Sequence, residues 1–153
     1  MSYISTLVSN MHAVRWQTPT QIDVLALIRE VKQARASVGA GLLGICILPE
    51  DAEIPSDEIR KAMIDGMHSI LDCCELVHSV FEGSGFKAAA MRAAMSAFFL
   101  HNPKPGSLVV FESVDVAVTA FRAKLKAPVD LVLQHLHSKN MLTIPHTGAA
   151  PYV

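Results

Sequence analysis

The chain has 153 residues, 51% of them apolar and only 18% charged, a composition that excludes general disorder and suits one domain with a real core. Thirteen Lys and Arg against fourteen Asp and Glu leave a net charge of −1 with no basic block. That excludes nucleic acid as the main partner, because affinity for a phosphate backbone rests on clustered cations.

Residues 2–9 and 12–17 read as two strands. In the second, Val14 and Trp16 alternate with Arg15 and Gln17, the period-2 mark of a half-buried strand, and Asn10-Met11 is the expected tight connection. Thr18 is the expected N-cap of the first helix, with Pro19 in its first turn. Ile22, Leu25 and Ile28 form one apolar row; Leu27, Val31 and Ala34 form the next. Gly39 offers the left-handed stop.

Residues 42–48 are continuously apolar, as expected of a strand covered on both faces, and Pro49 ends them. Their charge-free surroundings, residues 38–49, are too short for a bilayer span, which needs ~20 residues. An acidic loop, residues 50–55, leads to the clearest helix. Ser56 caps it, and Asp57 and Glu58 in its first turn complement the helix dipole. Ile59, Ala62, Met63, Gly66, Met67, Ile70, Leu71 and Cys74 form its inner stripe, while Asp65, His68 and Asp72 fall on the other face.

A strand over residues 76–81 follows, and Gly83-Ser84-Gly85 turns the chain into an Ala-rich helix over 86–100. After a Pro- and Gly-bearing stop come a strand over 108–111 and a helix capped by Ser113, with Val114, Ala117, Val118, Phe121 and Leu125 inward. Pro128 separates a short last helix containing Val129, Val132, Leu133 and Leu136, and the tail beyond Asn140 reads as loosely held. Strands alternating with helices make a parallel sheet covered by helices. The expected organisation is one α/β domain over residues 1–126 and an appendage over 127–153.

The order of elements resembles the STAS domain, the fold of bacterial anti-sigma-factor antagonists, and more closely the small stand-alone bacterial STAS-like proteins. The resemblance rests on the apolar strand over 42–48 with its loop and capped helix, on Gly83-Ser84-Gly85-Phe86 before the third helix, and on the strand entering Ser113-Val114-Asp115-Val116-Ala117. It implies a mixed sheet of four to five strands with helices mainly on one face, and a non-catalytic regulatory role. STAS antagonists carry a phosphorylatable Ser or Thr in an Asp-Ser-Ser-Gly-like turn after the third strand. Here Ser56 is its positional counterpart, in a longer loop without that motif.

Several residues carry candidate chemistry. Ser56, Asp57 and Glu58 form an expected partner-docking surface with Ser56 a candidate phosphosite; the same Ser is also a plain N-cap. Ser84, Gly85, Lys87 and Arg92 are candidate anion or ligand contacts at a helix start, although the glycine pattern is neither a P-loop nor a dinucleotide fingerprint. Seven histidines invite a metal reading, but His68 with Asp72 lacks a third ligand, and His135 and His137 point apart on a helix. Cys73 or Cys74 with His78 is a weak nucleophile and base, since a helix C-terminus disfavours thiolate.

The expectation is therefore a binding module without catalytic residues, metal or cofactor, docking a protein partner or small apolar ligand through the start of the second helix. A rival reading is a small enzyme with a hydrophobic substrate between helices 59–74 and 86–100 and the sheet, with His68, His78, Glu82 and Arg92 as polar groups. An odd set of three cysteines, and residues 1–6 lacking a basic n-region, point to a reducing, cytoplasmic setting without a signal peptide. A helix-poor sheet face and excess apolar surface would favour a homodimer.

Overall fold

A computed structural model describes residues 2–53, 55–99 and 106–142. The amino-terminal strands are β1 (Tyr3–Val8) and β2 (Met11–Trp16), paired antiparallel from Tyr3 opposite Trp16 to Val8 opposite Met11. The turn between them is Ser9-Asn10, with Ser9 at φ 54, one residue earlier than the sequence suggests. Helix α1 (Gln21–Val38) and strand β3 (Leu43–Leu48) follow, then α2 (Asp57–Cys73), β4 (Leu76–Phe81), α3 (Phe86–Phe99) and β5 (Leu108–Phe111). The chain closes with α4 (Val114–Thr119) and α5 (Val129–Ser138). The five strands lie in sequence order, β1 to β5, and every pair after the first is parallel.

The N-cap of α1 is Thr20, not Thr18. The Gln17 and Thr18 amides both donate to the Ser2 carbonyl, at 2.7 and 3.2 Å, so Thr18 still belongs to the hairpin. Thr20 Oγ1 accepts from the Asp23 amide while the Asp23 carboxylate accepts from the Thr20 amide at 3.0 Å, a reciprocal cap. Starting there, the helix buries Val24, Leu27, Val31 and Ala34 and leaves Ile22 and Leu25 in solvent. The expected end holds, with Gly39 at φ 90. In α2 the expected stripe turns inward around Gly66, Ile70 and Leu71, and Ser56 accepts from the Ile59 amide at 3.4 Å.

Pleating sends alternate side chains of β2 and β3 to opposite faces, and both sets are buried. Val14, Trp16 and Cys46 pack with Val24, Leu27, Val31, Ile70 and Leu71 under α1 and α2. Ala13, Ile45 and Ile47 pack with Val114, Ala117, Val118 and Phe121 of α4 and its following turn, and with Val132, Leu133 and Leu136 of α5. Helices therefore cover both faces of the sheet, which corrects the expectation of helices mainly on one face. The physical reason lies in β3 itself: a strand apolar at every position needs two lids. The segment expected as an appendage supplies one of them, so α5 shares the core of residues 1–126. No helix-poor sheet face is left to draw two copies together. The tail beyond residue 142 lies outside the described residues.

Candidate cleft at the carboxyl ends of the parallel strands

In a parallel sheet all strand ends of one kind lie at one edge, and the crevice outside the carboxyl ends is the usual ligand position. Here that edge holds a cleft of 620 Å³. Each strand contributes what immediately ends it: Arg15 near the end of β2, Pro49 to Asp51 after β3, Glu82 and Gly83 after β4, and Glu112 to Asp115 after β5.

The floor is an ion pair. Arg15 Nη1 and Nη2 donate to Glu82 Oε1 and Oε2 at 2.9 and 3.0 Å, and both side chains are only 16% exposed. The two come from strands on either side of β3, and both point to the α4 face, so the pair closes over the end of β3. Its two parallel bonds fit the planar guanidinium to the carboxylate, the geometry that makes a partly desolvated pair tolerable. Gly83 sits beside it at φ 117, where a side chain would be strained and where a Cβ would meet the Glu50 carboxyl carbon at 2.9 Å. The Glu50 side chain thus lies against bare backbone.

Arg92 of α3 reaches back to the same region. Its Nη1 donates to the Phe81 and Gly83 carbonyls at 2.7 and 2.9 Å, and its Nη2 is 4.0 Å from Glu112. Its donors hold the end of β4 and the start of the glycine turn. Ser84, Gly85 and Lys87 are exposed around that turn and are not among the residues lining the cleft.

Ser56, Asp57 and Glu58 are exposed at the start of α2, also apart from the cleft lining. Asp57 pairs with Arg60, and Glu58 accepts from Gln21 Nε2 at 3.1 Å, which ties the starts of α2 and α1 together.

The polar groups of the rival enzyme reading do not converge. His68 is exposed on α2. His78 is 4% exposed on the opposite face of the sheet, stacked on Phe121 with ring centroids 3.7 Å apart, and bonded through Nδ1 to the Ala117 carbonyl at 2.7 Å. Burial lowers its pKa, with the carbonyl bond opposing that shift. Glu82 is held by Arg15. The space under α1 and α2 beside His12, Cys46 and Cys74 is about 10 Å³, room for roughly one water.

The cysteines are equally placed for packing. Burial pushes the Cys46 thiol up to about 11 and the Cys74 thiol up to about 12, the reverse of a nucleophile's environment. Cys46 Sγ accepts from Trp16 Nε1 at 3.2 Å. Cys74 lies in the α1–α2 core and His78 in the other, so they form no dyad. His135 Nε2 bonds Thr6 Oγ1 at 2.9 Å, fixing α5 to β1. Among the described residues no group of three or more His, Cys, Asp or Glu is arranged to hold a metal, and no helix is long and apolar enough to cross a membrane.

Arg15, Glu50, Asp51 and Asp115 were not legible as site residues. Arg15 reads as the outward half of an alternating strand and the acidic pair as plain loop. Their common signal is position: each lies within four residues of the carboxyl end of a parallel strand.

Compared with family models, with curated proteins and with solved structures, the chain finds no match in any of the three.

Proposed function

We propose that this protein is a non-catalytic, STAS-like binding module that docks a partner protein in the cleft at the carboxyl ends of β2 to β5, beside the loop that enters α2. The observation that carries this reading is the cleft itself: 620 Å³ of open space whose floor is an ion pair satisfied within the fold. A group that is already paired and half-desolvated shapes a surface and does not move protons. The antiparallel pair feeding a parallel sheet supports the STAS-like part of the reading.

The docking face differs from the one read off the sequence, which was the start of α2 at Ser56 and Glu58. A photo-cross-linking residue placed at Asp51, at Glu112, at Glu58 or at Asp65 separates the two. In lysate of the source cells, Asp51 and Glu112 are expected to yield the same discrete adduct, with none at Asp65 on the outer side of α2. An adduct at Glu58 alone returns the docking face to the helix start. Equal labelling at all four positions, or at none, overturns the docking function.

A further inference from the structure

The walls of the cleft are apolar and its rim is acidic, and the combination specifies what kind of segment fits. Pro49, Val114 and Leu142 supply greasy wall, and Gly83 brings backbone without a side chain. Five carboxylates stand around them, Glu50, Asp51, Glu82, Glu112 and Asp115, against one guanidinium in the lining, that of Arg15, and that of Arg92, which reaches Gly83 and Glu112 from α3. Glu82 consumes the Arg15 guanidinium in two hydrogen bonds. Glu112 has the Arg92 Nη2 at 4.0 Å and remains 72% exposed. No cation among the described residues pairs with Glu50, Asp51 or Asp115.

An uncompensated set of carboxylates around a recess of low polarity focuses a negative potential into it. An incoming cation relieves the repulsion between them, and an incoming anion adds to it. The apolar walls reward a buried side chain, the anchor on which docking energy concentrates.

We propose that the cleft holds a basic segment of the partner protein, with one apolar side chain against Pro49 and Val114 and flanking Lys or Arg on Glu50, Asp51 and Asp115. This assignment rests on the docking function proposed above. Rim charges set orientation and association rate, so binding weakens with salt as the screening length falls from about 10 Å at 0.1 M to about 3 Å at 1 M.

Two blocked pentapeptides, Lys-Lys-Leu-Lys-Lys and Glu-Glu-Leu-Glu-Glu, test it by amide chemical-shift titration of the full chain. The basic peptide is expected to move the amides of residues 50–51, 82–83 and 112–115, and the acidic peptide to leave them in place. The isosteric variant Glu50→Gln/Asp51→Asn/Asp115→Asn is expected to bind the basic peptide at least tenfold more weakly. Its unperturbed spectrum elsewhere verifies that it folds. Equal shifts with both peptides, or unchanged affinity in the variant, overturn the basic assignment and leave the docking cleft standing. If neither peptide moves the cleft amides, the basic assignment fails; the cross-linking at Asp51 and Glu112 then decides separately whether the docking cleft fails with it.

Discussion

Asn10 and Lys126 are 116 residues apart and directly bonded: the Lys126 amide donates to Asn10 Oδ1 at 2.8 Å. The Asn10 Nδ2 donates to the Gly41 and Lys124 carbonyls, both at 3.0 Å. One side chain in the β1–β2 turn therefore holds the approach to β3 and the connection between α4 and α5. It is 2% exposed, so water does not stand in for any of these bonds. Through it, the segment that leads into the last helix is bonded to the first hairpin.

Replacing Asn10 by Ala takes a partner from one amide and two carbonyls in part-buried bonds, at about 1–3 kcal/mol for each group left fully unsatisfied. A total loss of about 3 kcal/mol is expected, with Asn10→Asp worse, because a carboxylate would face the two carbonyls. Urea unfolding followed by circular dichroism checks this. One cooperative transition at lower midpoint is expected for the variant. Two transitions, with helix signal lost first, would mean that α5 is a separate appendage after all.

At Gly66 the backbone of α2 lies against Val24 of α1. A Cβ built there would lie 2.7 Å from Val24 Cγ1, nearer than atoms approach without something shifting. Both residues sit in the α1–α2 layer, and Val24 is 5% exposed. Gly66→Ala is expected to cost about 1–3 kcal/mol through overpacking, despite Ala being the better helix former. Adding Val24→Ala makes room for the new methyl, so the double variant is expected to lose less than the sum of the two singles. Denaturation midpoints of the four proteins give the coupling; strict additivity would show that the helices do not touch there.

What the chain order reveals depends on how local the cause is. The four-turn stripe of α2, the apolar run of β3 and the glycine after α1 are local patterns, and each forms as read. The position of the α1 cap is not local, since the carbonyl of Ser2 keeps Thr18 in the hairpin and passes the cap to Thr20. The second helical layer is less local still. Phe121, Leu133 and Leu136 look like short apolar fragments until the sheet offers Ile45 and Ile47 beneath them. The cleft is least legible of all: Arg15 and Glu82 are 67 positions apart, and only the parallel order β2-β3-β4 sets them across one strand end.

That pair gives its own prediction. Arg15→Met takes two hydrogen bonds from the Glu82 carboxylate, which is only 16% exposed, and is expected to cost about 3 kcal/mol. Arg15→Met/Glu82→Met deletes both charges and is expected to recover most of the loss, because the desolvation of both groups disappears with their attraction. Thermal melts at constant pH measure it. A double variant no more stable than Arg15→Met would mean that the pair stabilises the fold by more than its burial costs.

Two histidines, His12 and His78, are buried on opposite faces of the sheet. Burial lowers the pKa of His78, and burial lowers that of His12 against an opposing pull from Glu30, whose carboxylate is 3.5 Å from its Nε2. A folded pKa below the unfolded value of about 6.5 means that the folded protein refuses a proton the unfolded chain accepts. Above about pH 6.5 both states are neutral and these groups impose no pH dependence. As the pH falls below that value stability declines, by up to about 1.4 kcal/mol per unit for each histidine, until the folded-state pKa is passed. His78→Phe keeps an aromatic ring between Phe111 and Phe121 and cannot take up a proton, so it is expected to flatten the acid limb even if its stability at neutral pH is lower. His12→Gln is expected to flatten it less, because Glu30 already offsets part of the cost of charging His12. Urea midpoints of the three proteins between about pH 7.5 and about pH 5 read the slopes directly. An acid limb in His78→Phe as steep as in the parent protein would place the proton uptake elsewhere.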